Sequence, residues 1–131
     1  MEQRRKTILV VEDDEALKTA YGTMLTGADY NVIASSDTEA MDHVRQHKPD
    51  LIILDAKLNV VSGKDICSEL KSQPATKEIP IIVISGYPEA VHYVEDFGAD
   101  EFVLKPFEVP YVLDLIAAKI RSAGMARTVA P

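Results

Sequence analysis

The sequence predicts an α/β fold, a doubly wound parallel sheet of five strands with five helices, and three observations carry that prediction. Apolar runs of strand length recur five times, at residues 8–11, 31–34, 51–54, 81–84 and 102–104. Stretches of helical period lie between them. The third and fourth runs are apolar without alternation, as strands are when helices cover both faces of a sheet.

The first helical stretch carries Leu17, Tyr21, Met24 and Leu25, which share one face, and Gly27 lies near its end. The second opens Ser36-Asp37-Thr38-Glu39, a spacing that predicts a capping box, with Ala40 and Val44 as its inner stripe. The third follows Gly63, sets Ile66 and Leu70 one turn apart, and has Pro74 beyond its end. Pro88 suits the first position of the fourth, whose apolar residues are Val91, Val94 and Phe97. The last follows Pro110 and aligns Val112, Ile116 and Ile120. Short right-handed connections then place a ligand site beyond the carboxyl ends of the strands. Residues 122–131 are expected to form a short flexible tail.

With 131 residues, 47% of them hydrophobic, the chain has the material of one domain with a single core. No apolar run approaches the roughly 20 residues that span a bilayer. The basic start 4–6 leads into an apolar run that ends at Val11 with carboxylates at once, unlike a signal peptide, so a cytoplasmic location is expected. The net charge of -7 repels nucleic acid and anionic membrane, and Arg4-Arg5-Lys6 is the one basic cluster. Cys67 has no partner for a disulfide or a zinc site and reads as a small core residue. His43, His47 and His92 read as surface histidines, and Tyr21, Tyr30, Tyr93 and Tyr111 as half-buried packing residues.

Chemistry gathers at the strand ends. Glu12 and Asp13 follow the first strand, Asp55 the third, Ser85 the fourth and Lys105 the fifth. Singly, such residues cap helices, fill turns or face water. Together they converge at the edge where ligands bind. Three carboxylates there repel one another, by about 4 kcal/mol for a pair near 4 Å at an effective dielectric of 20. A hard cation such as Mg²⁺ offsets that and leaves positions for phosphate oxygens. Asp55 is then a nucleophile for phosphorus, with Lys105 neutralising charge and Ser85 donating to a phosphoryl oxygen.

The segments 8–14, 49–55, 81–86 and 98–107, with Gly63 eight residues after Asp55, resemble the response-regulator receiver domain of two-component signalling, of the chemotaxis-regulator type. The resemblance covers residues 6–121, which it marks as the receiver domain. It implies the flavodoxin-like strand order 2-1-3-4-5 and a phosphoryl group received on Asp55 from the phosphohistidine of a sensor histidine kinase or a phosphotransfer protein. Mg²⁺ would be bound by Asp13 directly, by Glu12 through water, by Asp55, and by the backbone carbonyl of Lys57. Ser85 and Phe102 would be the switch pair, Lys105 would bind the phosphoryl oxygen, and the Lys105-Pro106 bond would be cis. Lys57 and Tyr87 would flank the attacking water and tune the lifetime of the phosphorylated state. The output would go to a downstream protein or a fused output domain, with no enzymatic turnover beyond self-phosphorylation and self-dephosphorylation. Asn59 replaces a frequent proline, which loosens its loop; Gly86 replaces a common alanine and Glu12 the commoner aspartate.

An aspartyl-nucleophile phosphohydrolase uses similar chemistry, but its acid two residues after the nucleophile is here Lys57. A pseudo-receiver that binds partners without phosphorylation would not require the full set of acids, hydroxyl and amine. A flavin carrier would need a Ser/Thr/Gly-rich phosphate loop that the sequence lacks.

Overall fold

The computed structural model describes residues 4–55 and 62–129, with side-chain surroundings up to residue 125. Five parallel strands, β1 (Thr7–Val11), β2 (Asn31–Ser35), β3 (Leu51–Asp55), β4 (Ile81–Ser85) and β5 (Glu101–Leu104), form one sheet in the order β2-β1-β3-β4-β5. The helices between and after them are α1 (Glu15–Gly27), α2 (Ala40–His47), α3 (Gly63–Ser72), α4 (His92–Phe97) and α5 (Val109–Val129). The fold is the flavodoxin-like arrangement expected from the sequence.

Two cores flank the sheet. On one face Ile8, Val10, Ile53, Ile82 and Ile84 pack with Tyr21 and Leu25 of α1 and Val112, Ile116 and Ile120 of α5. On the other, Leu9, Val11, Ile52, Leu54 and Val83 meet Ala40 and Val44 of α2, Ile66, Cys67 and Leu70 of α3, and Tyr93 of α4. Every residue of β3 and β4 is buried, which explains their unbroken apolar runs. Each fully buried Ile or Leu contributes about 1.5–3 kcal/mol of transfer free energy.

Several local expectations change in three dimensions. Leu17 and Val91 are exposed despite their helical phase, because α1 buries Tyr21 and Leu25 and the α4 region buries Ala90 and Tyr93. Pro88 opens a 3-10 turn, Pro88–Val91, that feeds α4. The capping box is not made: α2 starts at Ala40, and Ser36 Oγ donates to the Glu39 carboxylate at 3.1 Å, so the two side chains satisfy each other instead of backbone amides. Tyr111 is exposed, and His43 is half-buried with Nδ1 2.8 Å from Ser35 Oγ. The backbone of α5 stays helical through Val129, past the point where a tail was expected to begin.

Candidate functional site

The chain reverses direction across the sheet after β1: β2 lies on one side of it and β3 on the other. Such a switch point opens a crevice at the carboxyl ends of the two strands. A cavity of about 450 Å³ lies there, lined by Glu12, Asp13, Asp14, Leu17, Asp55, Ser85, Gly86, Tyr87 and Lys105. The fold therefore brings together the acids, the hydroxyl and the amine that the sequence places at four strand ends. Phe102 is not among the lining residues; it lies on β5 opposite Val83 and packs, partly buried, against the core on the α3 and α4 side. Lys57, and the loop that holds Asn59, lie outside the described residues.

Each side chain is held by its own local structure. Asp55 ends β3, and Ser85 ends β4 with its hydroxyl accepting from Tyr87 N at 3.0 Å. The Lys105 amide donates to the Ser85 carbonyl at 2.8 Å, which locks the two strand ends together, and the Lys105-Pro106 peptide is cis. Asp14 caps α1 by accepting from Leu17 N at 3.0 Å. Asp13 Oδ1 accepts from Asp37 N, also at 3.0 Å, so the loop after β2 grips a carboxylate of the cavity. Sequence reading missed this contact. The sign was available in the order of strands, since β2 neighbours β1 and its carboxyl end must flank the same crevice.

Electrostatics at the site are those of acids crowded against one cation. Lys105 Nζ is 3.6 Å from Asp55 Oδ2, longer than a direct charge-assisted hydrogen bond. Glu12 is only 2% exposed. Its burial, then its hydrogen bond to Asp55 and the Asp55 charge, push its carboxyl up to about 8, while Lys105 pulls the other way. Near neutral pH Glu12 thus tends to hold a proton against Asp55. A cation placed there would relieve the same repulsion between the two carboxylates. Among the described residues no three acid, His or Cys side chains form a complete cage. The carboxylates of Glu12, Asp13 and Asp55 that line the cavity are hard oxygen donors of the kind Mg²⁺ takes, with positions left for water and phosphate.

Residues 8–117 match the family model of the response regulator receiver domain, and the chain belongs to that family. Over 120 residues it is 37% identical to the phosphate regulon transcriptional regulatory protein PhoB of Rhizobium meliloti, covering 88% of this chain and 52% of that protein. The chain spans about half the length of the curated relatives it matches. Among solved structures, the signal receiver domain of a signal transduction histidine kinase from Syntrophus aciditrophicus superposes with a TM-score of 0.82 at 27% identity, covering 89% of this chain and 91% of that one. The receiver domain of the sensor histidine kinase PA1611 from Pseudomonas aeruginosa, with a magnesium ion coordinated in its active-site cleft, gives a TM-score of 0.81 at 23% identity over 89% of this chain and 98% of that one. By its family match the chain is a receiver domain of the kind found in two-component response regulators.

Proposed function

We propose that Asp55 is the phosphoryl acceptor and that the acid cavity holds Mg²⁺ through Asp13, Glu12, Asp55 and the Lys57 carbonyl. The observation that carries this reading is the convergence of Glu12, Asp13, Asp55, Ser85 and Lys105 on one cavity at the switch point of the sheet. A carboxylate oxygen of Asp55 attacks phosphorus, the bond from phosphorus to the donor's imidazole nitrogen breaks, and the imidazole leaves. When bound, the cation neutralises phosphoryl oxygens. Lys105, already beside Asp55, supplies the second positive charge, and Ser85 exchanges its acceptor role toward Tyr87 N for donation to a phosphoryl oxygen. Withdrawal of that hydroxyl frees the loop after β4, and Phe102, on the neighbouring strand, moves inward to fill the space.

The donor is a sensor histidine kinase or a phosphotransfer protein. The reader is a downstream protein or an output domain joined to the chain, in the cytoplasm, and the domain cycles its own phosphoryl group without turning over other substrates. Among the described residues no helix is long and apolar enough to cross a membrane. Intact mass measured after incubation with acetyl phosphate and magnesium tests the proposal. One added phosphoryl group is expected in the parent protein and none in Asp55→Asn. Equal labelling of the two would refute it.

A further inference from the structure

The opposite edge of the sheet carries a second cavity, of about 500 Å³, built from charges of the other sign. Arg4, Arg5 and Lys6 lead into β1 there, and His47 and Lys48 come to the same place from the end of α2. In sequence only the first three are clustered. The fold adds Lys48, which closes α2 in a left-handed conformation (φ 47°) with its amide on Val44 O at 2.9 Å, so its backbone is fixed beside the cavity. The strand register sets the rest: Asn31 N donates to Lys6 O at 2.9 Å and Asp50 N to Thr7 O at 2.8 Å, which ties the basic segment to β2 and to the start of β3.

In a chain of net charge -7 this concentration of cations stands out. Among the described residues none of the four cations Arg4, Arg5, Lys6 and Lys48 pairs with a carboxylate, whereas Lys18, Arg45, Lys71, Lys105 and Lys119 all do. Asp50, the one acid in the lining, spends Oδ2 on Thr7 N at 2.8 Å. The end of α2 also adds a partial negative charge, which four cations outweigh. The hollow is open to solvent: Arg4, Arg5, Lys6, His47 and Lys48 are all exposed. Apart from the His47 ring and the guanidinium planes of Arg4 and Arg5 the walls offer no flat surface, and no aliphatic side chain on which a lipid chain would rest, so charge dominates the lining. Five-residue strands separate the two cavities by roughly 16 Å, about two Debye lengths at physiological salt, so there the acids of the other cavity act on this one only weakly.

We propose that this basic cavity binds a compact oligophosphate anion, recognised by its charge and phosphate oxygens alone. Arg4 and Arg5 supply planar forks for pairs of oxygens, and Lys6 and Lys48 supply point charges. The site is separate from Asp55 and stands whether or not the phosphoryl-acceptor reading does.

Titration of the isotopically labelled protein with inorganic triphosphate, in chelator-treated buffer of low ionic strength, tests it. Saturable amide shifts are expected at Thr7 and Lys48, with affinity that falls as sodium chloride is raised. Arg5→Gln combined with Lys48→Gln should weaken binding at least about tenfold, the scale of losing charged hydrogen bonds, while Lys77→Gln, the same type of charge loss elsewhere, should leave it unchanged. If the double variant fails to fold, Arg4→Gln and Lys6→Gln singly carry the same expectation in smaller steps. ATP should bind within a few-fold of triphosphate. Shifts confined to Asp55 and Lys105, equal loss in Lys77→Gln, or no saturation would overturn the site. ATP or a single-stranded oligonucleotide binding more than about tenfold tighter than triphosphate would overturn recognition by a compact phosphate alone.

Discussion

Gly63 opens α3 beside the end of β3, and a methyl group added there is crowded on arrival. An alanine Cβ at this position would lie 3.0 Å from Tyr93 Cε2, 3.2 Å from Tyr93 Oη and 3.3 Å from the Asp55 carbonyl oxygen. Carbon atoms in contact prefer about 3.5–4.0 Å, so the Tyr93 ring or the end of β3 must retreat by a few tenths of an ångström. Neither is free to do so: Tyr93 is 6% exposed and packs edge-on against Phe97, and Asp55 is paired with Ile84 of β4. Overpacking of this kind costs about 1–3 kcal/mol. Replacing glycine in a helix returns about 0.5–1 kcal/mol. Gly63 is the first residue of α3, where that return is at its low end, so the balance for Gly63→Ala is a destabilisation of about 0.5–2.5 kcal/mol, read by urea unfolding as a lower midpoint at unchanged slope. Tyr93→Leu, which removes the ring, should relieve the clash, so the pair combined in a double-mutant cycle should show favourable coupling of about 1 kcal/mol. A Gly63→Ala protein as stable as the parent, or strictly additive variants, would refute the packing argument.

Tyr87 is 51% exposed and lines the acid cavity, and on the proposed reading its ring shields Asp55 from attacking water. Tyr87→Ala should speed loss of the phosphoryl group with Mg²⁺ affinity nearly unchanged, followed as phosphoaspartate decay in saturating magnesium; an equal or slower decay would count against shielding. Asp13→Ala should weaken Mg²⁺ binding more than Glu12→Ala in a calorimetric titration, since a direct ligand contributes more than one acting through water. In chelator the raised carboxyl of Glu12 makes the folded state bind its proton more tightly than the unfolded chain, whose value is near 4.5. Its contribution is complete below that value and is lost as pH rises toward about 8, so unfolding midpoints should fall over this window and Glu12→Gln should flatten the fall.

The parts of this molecule that read directly from sequence are those governed by local periodicity. β3 and β4 announce themselves because a doubly covered strand has no polar alternation, and each observed strand begins or ends within a residue of its apolar run. The site is legible for a related reason: in a parallel sheet every strand delivers its next residue to the same edge, so Glu12, Asp13, Asp55, Ser85 and Lys105 needed only the topology to become neighbours. What sequence missed depends on relations it does not encode locally. Leu17 has the phase of a core residue, but α1 crosses the sheet at a place that buries Tyr21 and Leu25 and leaves Leu17 at the cavity rim. The grip of Asp37 N on Asp13 joins residues far apart in the chain, and the meeting of Lys48 with Arg4-Arg5-Lys6 depends on where α2 ends relative to β1.

On the proposed reading one particular carboxylate, that of Asp55, carries the phosphoryl group. Borohydride reduces an acyl phosphate to an alcohol and so turns a phosphorylated aspartate into homoserine, which marks the residue permanently. After phosphorylation in the presence of magnesium, borohydride treatment and proteolysis, the peptide that ends β3 should contain homoserine at position 55, and omission of magnesium should abolish it. Homoserine at position 13 instead, or none at position 55 in protein shown to carry the phosphoryl group, would contradict the account.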